Sequence, residues 1–302
     1  MTASLARVGI LAAIAGWLCA AMAPGAAAAA ARPAALRIVS LAPSVTETLF
    51  ALGAGAEVVG VSRYCDYPPE ATRLPRVGTF LTPNVEAIIG LHPTLVIGLG
   101  LSSNTRELKL LRATGCSVMT VGDDSLAQIE GGILKIGERI GRARAASAML
   151  AALDARIASV RARAAHARRV RVLMLVGHEP MVAVGPHTFL DELLTIANSE
   201  NIAAGAGQQW PRLSLEYIIA ARPDVILDGQ MGSDAKAPSR FWDRYSIIPA
   251  VRDDRVFGYP QDPILHPGPR VGKSLEMIAA MIHPAAFSST VPDSGDNREA
   301  AP

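Results

Sequence analysis

The side chains that most often carry out catalysis or hold metals are sparse and scattered in this chain. Its six histidines are spread along the sequence, and no pair has metal-ligand spacing. The chain contains no G-x-S-x-G nucleophile elbow, no phosphate-binding P-loop and no H-E-x-x-H zinc motif. A hydrolase could be built from His178 and a distant serine, but no residue pattern in the sequence supports one. We therefore expect no catalytic activity, and we expect no resident metal or cofactor.

One stretch of the chain occurs twice. NVEAIIGLHPTLVI, residues 84–97, resembles SLEYIIAARPDVIL, residues 214–227, and Glu86 and Glu216 occupy matching positions 130 residues apart. One period of this length in a chain of 302 residues predicts two similar lobes rather than a solenoid of short repeats. Both glutamates fall in the first turn of a predicted helix, each after a predicted N-cap residue. A glutamate there complements the helix dipole, but its recurrence also suits a pair of exposed anchors.

Strand and helix patterns alternate in two separate parts of the chain. Short apolar strands and amphipathic helices occupy residues 36–124 and again residues 169–284, which predicts an α/β lobe in each part. Such alternation produces a mostly parallel sheet with helices on its faces. Residues 125–168 have only helical spacing, broken at Gly141, and predict a long, rigid helical segment that joins the lobes. The polar tail, residues 285–302, is expected to be disordered.

The composition narrows the class of protein further. Half of the residues are hydrophobic, which is enough for a sizeable core, and the formal net charge is +2 with acids and bases interspersed. A nucleic-acid partner is not expected, because a phosphate backbone selects a basic face or stripe.

The N-terminus has the pattern of a secretory signal peptide, predicted over residues 1–31. Arg7 precedes an apolar run at 8–22, and an alanine tract at 26–31 supplies small residues for cleavage at a position that stays open. No second run of about 18 apolar residues follows, so we expect no membrane insertion of the mature chain. We expect export to a periplasm and a monomeric protein.

Two cysteines, Cys65 and Cys116, follow the predicted signal peptide. In an oxidising compartment they could form a disulfide. They could equally be two separate small residues, and the sequence does not choose between these alternatives.

Several motifs resemble one known class of proteins. RIVSLAPSVTETLFALGAG, VSRYCDYPPEA, FLDELLTIANSENIA and PGPRVGKSLEMIAAMIHP, together with the repeated segments, are similar to periplasmic substrate-binding proteins of ABC importers. The likeness runs from about residue 36 to residue 284. It is to the class with a rigid helical backbone between its lobes, which carries cobalamin, haem and ferric siderophores, and it is closest to the cobalamin-binding members.

This resemblance implies a function and leaves alternatives. It implies delivery of cobalamin or a related corrinoid to the transmembrane subunits of an ABC permease. Haem and a ferric siderophore are the alternative ligands within the class. An extracytoplasmic metal-chelate enzyme or storage protein on the same scaffold is an alternative of a different kind.

The resemblance also implies where the ligand binds. In this class it lies in the cleft between the lobes, gripped by loops at the carboxyl ends of the strands, as the general rule for open α/β sheets also predicts. The positions that match the family's pocket are Tyr64, Phe80, Leu99, Val182, Trp210, Asp262 and His266. Phe80 and Trp210 stand at equivalent places in the two repeats, where they could pack both faces of a flat macrocycle.

The chain departs from the cobalamin pattern at three of these positions. Leu99 and Val182 stand where the pattern has large aromatics, and His266 stands where it has an arginine. Fewer rings make a less snug pocket for cobalamin, which leaves another corrinoid or haem open. The imidazole of His266 has three alternative roles: to bond to cobalt or iron, to hydrogen-bond to an amide of the corrin, or to face solvent.

The same resemblance implies a role for the two glutamates of the repeat. In this class, glutamates at these positions meet arginines on the two permease subunits. The resemblance therefore implies that Glu86 and Glu216, one in each lobe, dock the protein onto its permease.

Overall fold

The computed structural model describes residues 35–229, 238 and 240–287 of the chain. The predicted signal peptide, residues 1–31, and residues 288–302 of the predicted tail lie outside the described residues. Among the residues that are described, no helix combines the length and the apolar character needed to span a bilayer.

The first lobe is built on a four-stranded parallel sheet. Its strands are β1 (Ile38–Ser40), β2 (Val58–Val61), β3 (Leu95–Leu99) and β4 (Val118–Val121), and its helices are α1 (Pro43–Ala51), α2 (Val85–Gly90) and α3 (Thr105–Ala113). The strands lie in the order β2-β1-β3-β4, and each pair is parallel. The central strand β3 is buried along its whole length, as expected of a parallel sheet covered on both faces.

Two consecutive helices follow the first lobe. They are α4 (Leu126–Arg139) and α5 (Ala143–Ala164), and Gly141 between them has a φ of 73°, which glycine adopts without a steric penalty. With 22 residues, α5 is about 33 Å long at 1.5 Å per residue. It packs against α4 on one side and against α10 (Val271–Ile282) of the second lobe on another. This is the long helix that joins the two lobes.

The second lobe contains a five-stranded, mostly parallel sheet. Its strands are β5 (Val170–His178), β6 (Met181–Ala183), β7 (Ser199–Asn201), β8 (Val225–Asp228) and β9 (Val256–Gly258). Besides α10, its helices are α6 (Phe189–Ile196), α7 (Leu215–Ala221), α8 (Pro249–Arg252), α9 (Gln261–Ile264) and α11 (Pro284–Phe287). The strand order is β6-β5-β8-β9, with β7 also paired to β5. Only β6 is antiparallel among the described strands. The predicted tail begins within α11, where Phe287 is buried.

The repeated segments form the same unit in each lobe, α2 followed by β3 and α7 followed by β8. The side chain of Asn84 accepts a hydrogen bond from the third residue of its helix at 2.9 Å, and Ser214 does the same at 3.3 Å. His92 and Arg222, which lie between the helix and the strand of each unit, have φ values of 47° and 46°. A proline follows each of them, and a following proline disfavours the right-handed helical conformation. The sequence repeat is therefore a repeat of backbone geometry.

One of the hydrophobic clusters among the described residues extends through both lobes and forms a shared core. It includes Leu49 of α1 in the first lobe, Ile157 and Val160 of α5, and Leu275 and Ile278 of α10 in the second lobe. The long helix therefore belongs to the core of both lobes and does not act as an exposed linker.

The two cysteines remain free, so the disulfide that the sequence left open is not formed. Cys65 is buried in the shared core, where Thr46 Oγ1 donates to its Sγ at 3.1 Å and Ser62 Oγ lies 3.0 Å away. Cys116 packs against a different cluster, which covers the Val39 and Val96 side of the first sheet. The sheet separates the two sulfur atoms, which explains why they do not pair.

Candidate functional site

The two lobes enclose a cleft with a volume of about 450 Å³. The residues that line it are Phe80, Leu101, Asp123 and Asp124 of the first lobe and Val176, Val182, Thr188, Phe189, Leu190, Trp210, Leu265 and Pro267 of the second. Asp123 follows β4 and Val176 lies near the end of β5, so the cleft is at the carboxyl ends of the strands, where open α/β sheets bind ligands. Its volume lies in the range of about 300–1,000 Å³ that small-molecule pockets occupy.

Aromatic side chains from both lobes form the walls of this cleft. Phe80 is partly buried, and its ring meets the ring of Tyr64 edge to face, with centroids 6.2 Å apart. Trp210 is 45% exposed and Tyr64 is 48% exposed. Exposed rings of this kind beside a cleft mark a surface where a ligand can be packed.

Local contacts hold the loops that carry Phe80 and Trp210. Asn104 is fully buried, and its Nδ2 donates to the carbonyl oxygens of Phe80 and Leu99, both at 3.0 Å. In the second lobe, Gly185 N donates to the carbonyl oxygen of the residue before Trp210 at 2.8 Å. A Cβ at Gly185 would lie 2.0 Å from a backbone oxygen of the same loop, so only glycine allows this approach. The aromatic walls are therefore held in place before any ligand arrives.

One side of the cleft is acidic. Asp123 and Asp124 follow β4, and burial together with the neighbouring charge of Asp124 raises the pKa of Asp123 to about 6. Close by, Glu192 of α6 accepts a hydrogen bond from the amide of Leu126, the first residue of α4, at 2.8 Å. None of the described residues that line the cleft is a lysine or an arginine. The cleft therefore favours a ligand that offers hydrogen-bond donors or positive charge on this side.

The predicted pocket residues divide into those at the cleft, one in the core, and two in an ionic cluster outside the cleft lining. Phe80, Val182 and Trp210 line the cleft, whereas Tyr64 is not among the lining residues and packs against Phe80. Leu99 does not line it, because its side chain is 7% exposed and packs in the core.

Asp262 and His266 are also not among the residues that line the cleft, although Leu265 and Pro267 on either side of His266 are. Asp123 and Asp124 were missed by the sequence reasoning. Their place directly after a predicted strand of the first lobe is the signal that could have found them.

Asp262 and His266 belong to an ionic cluster centred on Arg270. Arg270 donates from Nε to Glu47 Oε2 at 2.8 Å and from Nη2 to Glu47 Oε1 at 2.5 Å, and it also donates to both carboxylate oxygens of Asp262. Its guanidinium lies 3.8 Å from the ring centroid of Tyr67. His266 Nδ1 lies 3.1 Å from Asp262 Oδ1 and 3.4 Å from Glu47 Oε1. The side chain of His266 is therefore engaged by two carboxylates.

The cluster shifts the protonation of its members. Burial disfavours the charged form of His266, but its contacts with Asp262 and Glu47 prevail and raise its pKa to about 9. Burial likewise opposes ionisation of Asp262, yet His266 and Arg270 hold its pKa down at about 2. His266 is thus a cation at neutral pH. An axial bond to cobalt or iron needs a neutral imidazole, so His266 would have to lose its proton and leave the cluster to form one.

The same cluster contains the one set of metal-ligand atoms found among the described residues. Ligand atoms of Glu47, Asp262 and His266 lie within 4.8 Å of one another. However, Arg270 donates to both carboxylates and supplies the positive charge that a metal ion would bring. We therefore interpret the cluster as an ion-pair network.

Glu86 and Glu216 are exposed in the first turns of α2 and α7. A hydrogen bond from its own backbone amide, followed by one from Ser214, lowers the pKa of Glu216. Neither glutamate forms an ion pair within the described part of the chain. Both carboxylates are therefore available to a partner.

Comparison with known proteins identifies the family. A family model described as periplasmic binding protein matches residues 38–263, which is most of the chain. The chain belongs to the periplasmic binding protein family. This periplasmic binding protein is 32% identical over 258 residues to the uncharacterized ABC transporter substrate-binding lipoprotein YvrC of Bacillus subtilis (strain 168), covering 83% of this chain and 81% of that protein.

The names of two further relatives state a ligand. The periplasmic binding protein is 27% identical over 247 residues to the vitamin B12-binding protein of Vibrio cholerae serotype O1, covering 82% of this chain and 88% of that protein. It also resembles the solved structure of the apo form of the periplasmic heme-binding protein RhuT from Roseiflexus sp. RS-1. That match has a TM-score of 0.74 and 32% identity, and it covers 83% of this chain and 99% of RhuT. The predicted two-lobed α/β fold is confirmed, and so is the resemblance at the level of the family.

Proposed function

We propose that this periplasmic binding protein is the extracytoplasmic solute-binding subunit of an ABC importer. We further propose that it binds cobalamin or a closely related corrinoid in the cleft between its lobes. The observation that carries the proposal is the placement of Phe80 and Trp210, aromatic residues from equivalent positions of the two lobes, in the lining of one cleft. Rings contributed from both sides suit a broad, flat macrocycle, because they pack against its faces.

The charge of the cleft supports a corrinoid over haem. The rim of a corrin carries primary amides, which can donate hydrogen bonds to Asp123 and Asp124. Haem carries two propionate carboxylates, which these aspartates would repel in a cleft whose described lining has no basic side chain. The 27% identity to the vitamin B12-binding protein of Vibrio cholerae also supports a corrinoid.

Haem is the second candidate ligand, and a specific observation favours it. The heme-binding protein RhuT shares 32% identity with this chain and a similar fold. Val182, which stands in the cleft lining where the cobalamin pattern has a large aromatic, also leaves the cleft with one ring fewer than that pattern. A ferric siderophore is the third candidate within the class.

The remaining expectations complete the proposed role. Glu86 and Glu216 dock the protein onto the two permease subunits, one glutamate for each subunit. Residues 1–31 direct export to the periplasm and are removed. The mature protein is monomeric. It binds its ligand without transforming it, and the substrate-binding and ligand-binding names of its relatives support this absence of catalysis.

The deciding experiment is direct ligand identification. The protein would be purified from its native host, and the co-purifying compound identified by its absorption spectrum and by mass spectrometry. Purified apo-protein would then be titrated with cyanocobalamin and with haemin by calorimetry. Micromolar or tighter binding of cyanocobalamin without haemin binding is expected.

A matched pair of variants ties that binding to the cleft. Trp210→Ala removes one wall, whereas Leu110→Ala removes a similarly exposed apolar side chain from α3, outside the cleft lining. We expect the first change alone to weaken corrinoid binding. Haemin binding without cyanocobalamin binding would make the protein a haem carrier. Binding of neither would point to a siderophore.

A further inference from the structure

A second cavity lies at the opposite end of the second lobe from the ligand-binding cleft. It has a volume of about 520 Å³ and lies where the end of α5 meets the starts of β5 and β9 and the end of α10. The cleft is at the carboxyl ends of the strands, whereas this cavity is at their amino ends. The nine residues of β5, roughly 30 Å of extended chain, therefore run from one site toward the other.

Three arginines from separate segments line this cavity. They are Arg163 near the end of α5, Arg168 just before β5 and Arg255 just before β9. Arg163 Nη2 donates to the carbonyl oxygen of Ala286 at 3.0 Å, and Arg255 Nη2 donates to that of Ile282 at 2.6 Å. These neutral acceptors fix the directions of the two guanidinium groups without neutralising their charge. Each guanidinium has five N–H donors, so both keep donors for a further partner.

The charge around the cavity is only partly balanced by carboxylates of the described residues. Arg168 Nη2 lies 3.5 Å from Asp224 Oδ1, whereas neither Arg163 nor Arg255 has a described carboxylate within 4.0 Å. Burial lowers the pKa of Arg255, the charges of Asp224 and Asp253 oppose that effect, and the charge of Arg168 adds to it. A bound anion relieves the electrostatic repulsion between arginines in a cavity of this size.

The nearby histidines do not change this balance. His283 is buried, its Nε2 lies 2.9 Å from the carbonyl oxygen of Ala197, and burial lowers its pKa, so it is neutral at pH 7. His166 is exposed at the rim of the cavity. The positive charge of the cavity therefore comes from its arginines.

We infer that this cavity is a binding site for a phosphate-bearing anion, held by charge-assisted hydrogen bonds from Arg163, Arg168 and Arg255. The planar guanidinium fork matches two oxygens of a phosphate group, which is why arginine is favoured at such sites. The same chemistry belongs to a free phosphate compound and to the headgroup of an anionic phospholipid. The site is independent of the ligand in the cleft, since the two cavities share no lining residue.

The test is a titration of the full mature protein with pyrophosphate at constant ionic strength, followed by calorimetry and by the ligand-dependent rise in Tm. The variant is Arg168→Glu, which changes a side chain that is 75% exposed and therefore leaves folding intact. The matched control is Arg144→Glu, the same charge change at an exposed residue of α5 that does not line the cavity. A second arm measures co-sedimentation with phosphatidylglycerol vesicles against phosphatidylcholine vesicles.

We expect saturable binding of pyrophosphate, of phosphatidylglycerol vesicles or of both by the unchanged protein and by Arg144→Glu. Arg168→Glu should weaken that binding by about tenfold or more, because it removes a charge-assisted contact and adds a like charge. Binding by pyrophosphate alone identifies a free anion as the ligand, and binding to vesicles alone identifies a headgroup. The proposal is overturned if neither probe binds, or if the two variants weaken binding equally, since an equal loss reports only the overall charge.

Discussion

Arg270 holds Glu47 through two hydrogen bonds of 2.8 and 2.5 Å and thereby ties the first helix of one lobe to the last long helix of the other. Glu47 is only 2% exposed, so its charge is taken out of water and depends on this partner. The two residues are 223 positions apart in the sequence, so the pair is a long-range contact between the lobes.

The first prediction concerns the strength of this pair. Arg270→Ala leaves Glu47 buried without its main partner and should lower the free energy of unfolding by about 3–5 kcal/mol. The control is Arg156→Ala, which breaks the half-exposed ion pair with Glu276 and should cost no more than about 1 kcal/mol. Urea denaturation followed by circular dichroism measures both. Equal losses of unfolding free energy in the two variants would show that the buried ion pair contributes no more to stability than the half-exposed one.

The second prediction concerns pH. The folded pKa of His266, about 9, lies above its ordinary value of 6.5, so its contribution to stability is complete below pH 6.5 and is lost as the pH rises to about 9. Denaturation at several pH values should show this decline, and His266→Gln should flatten it. His166→Gln, at an exposed histidine, should leave the decline unchanged. A titration of the His266 ring by NMR with a midpoint near 6.5 would contradict the prediction.

At low pH the same cluster should weaken through its carboxylate. The folded pKa of Asp262, about 2, lies below its ordinary value of 3.8, so its contribution is present above pH 3.8 and is lost as the pH falls through about 2. Asp262→Asn should therefore reduce the acid dependence of stability in that window.

The third prediction separates the two candidate ligands by pH. The pKa of Asp123, about 6, means that this carboxyl is neutral in more acidic solution and ionised in more basic solution. Corrinoid affinity should therefore fall as the pH drops below 6, because the acceptor for the amide donors is protonated. Haemin affinity should rise over the same window, because a repulsive charge is removed. Calorimetric titrations at pH 5 and pH 7 (on the order of one unit either side of that pKa) test this.

The control for that titration is Asp123→Asn, which should abolish the pH dependence of the protein's affinity for both ligands. The same substitution should make the protein more stable above pH 6. An acid whose folded pKa exceeds its ordinary value of 3.8 loses stability as the pH rises from 3.8 to about 6, and asparagine removes that loss. A pH dependence that persists in Asp123→Asn would assign it to another group.

The fourth prediction concerns motion. Residues 143–164 form an uninterrupted helix without proline, and its buried side shares a core with both lobes. We expect the lobes to move little on ligand binding, so solution X-ray scattering curves of the free and loaded protein should superimpose. A large compaction on addition of ligand would contradict this rigidity.

The fifth prediction concerns docking. Glu86→Lys together with Glu216→Lys should abolish ligand-stimulated transport by the permease while the affinity for the ligand stays unchanged, because both residues are exposed outside the cleft lining. Glu138→Lys, the same type of substitution at a single exposed position of α4, is the control and should transport normally. Uptake by permease in liposomes and calorimetry of the free binding protein measure the two quantities. An equal fall in affinity would place the glutamates in the ligand site.

The sequence predicted the repeated units well because their signals are local. An N-cap, an apolar helix face, a proline and an apolar strand lie within 14 residues in each of 84–97 and 214–227. The strands β6 and β7 were missed for the opposite reason. Each has three residues, and both pair with the same edge of β5 through backbone hydrogen bonds that leave no side-chain pattern.

The placement of His266 was beyond sequence reasoning for a similar reason. Its loop does line the cleft, through Leu265 and Pro267, but its side chain is held by Glu47 from a helix more than 200 residues earlier in the chain. The available signal was Glu47 itself, an acid within the otherwise uncharged helix SVTETLFA, since a buried charge requires a partner. That signal shows the need for a cation without showing which cation supplies it.

The core shared by the two lobes restricts how such a protein can change its ligand. Exchanging one lobe for that of a relative would replace only half of the contacts around Ile157 and Val160, and the chimaera would carry mismatched packing through its centre. Phe80 and Trp210, in contrast, lie on loops that are held in place by hydrogen bonds from Asn104 and Gly185. New specificities within this scaffold should therefore arise by single substitutions at the loop positions, while the lobes are inherited together as one unit.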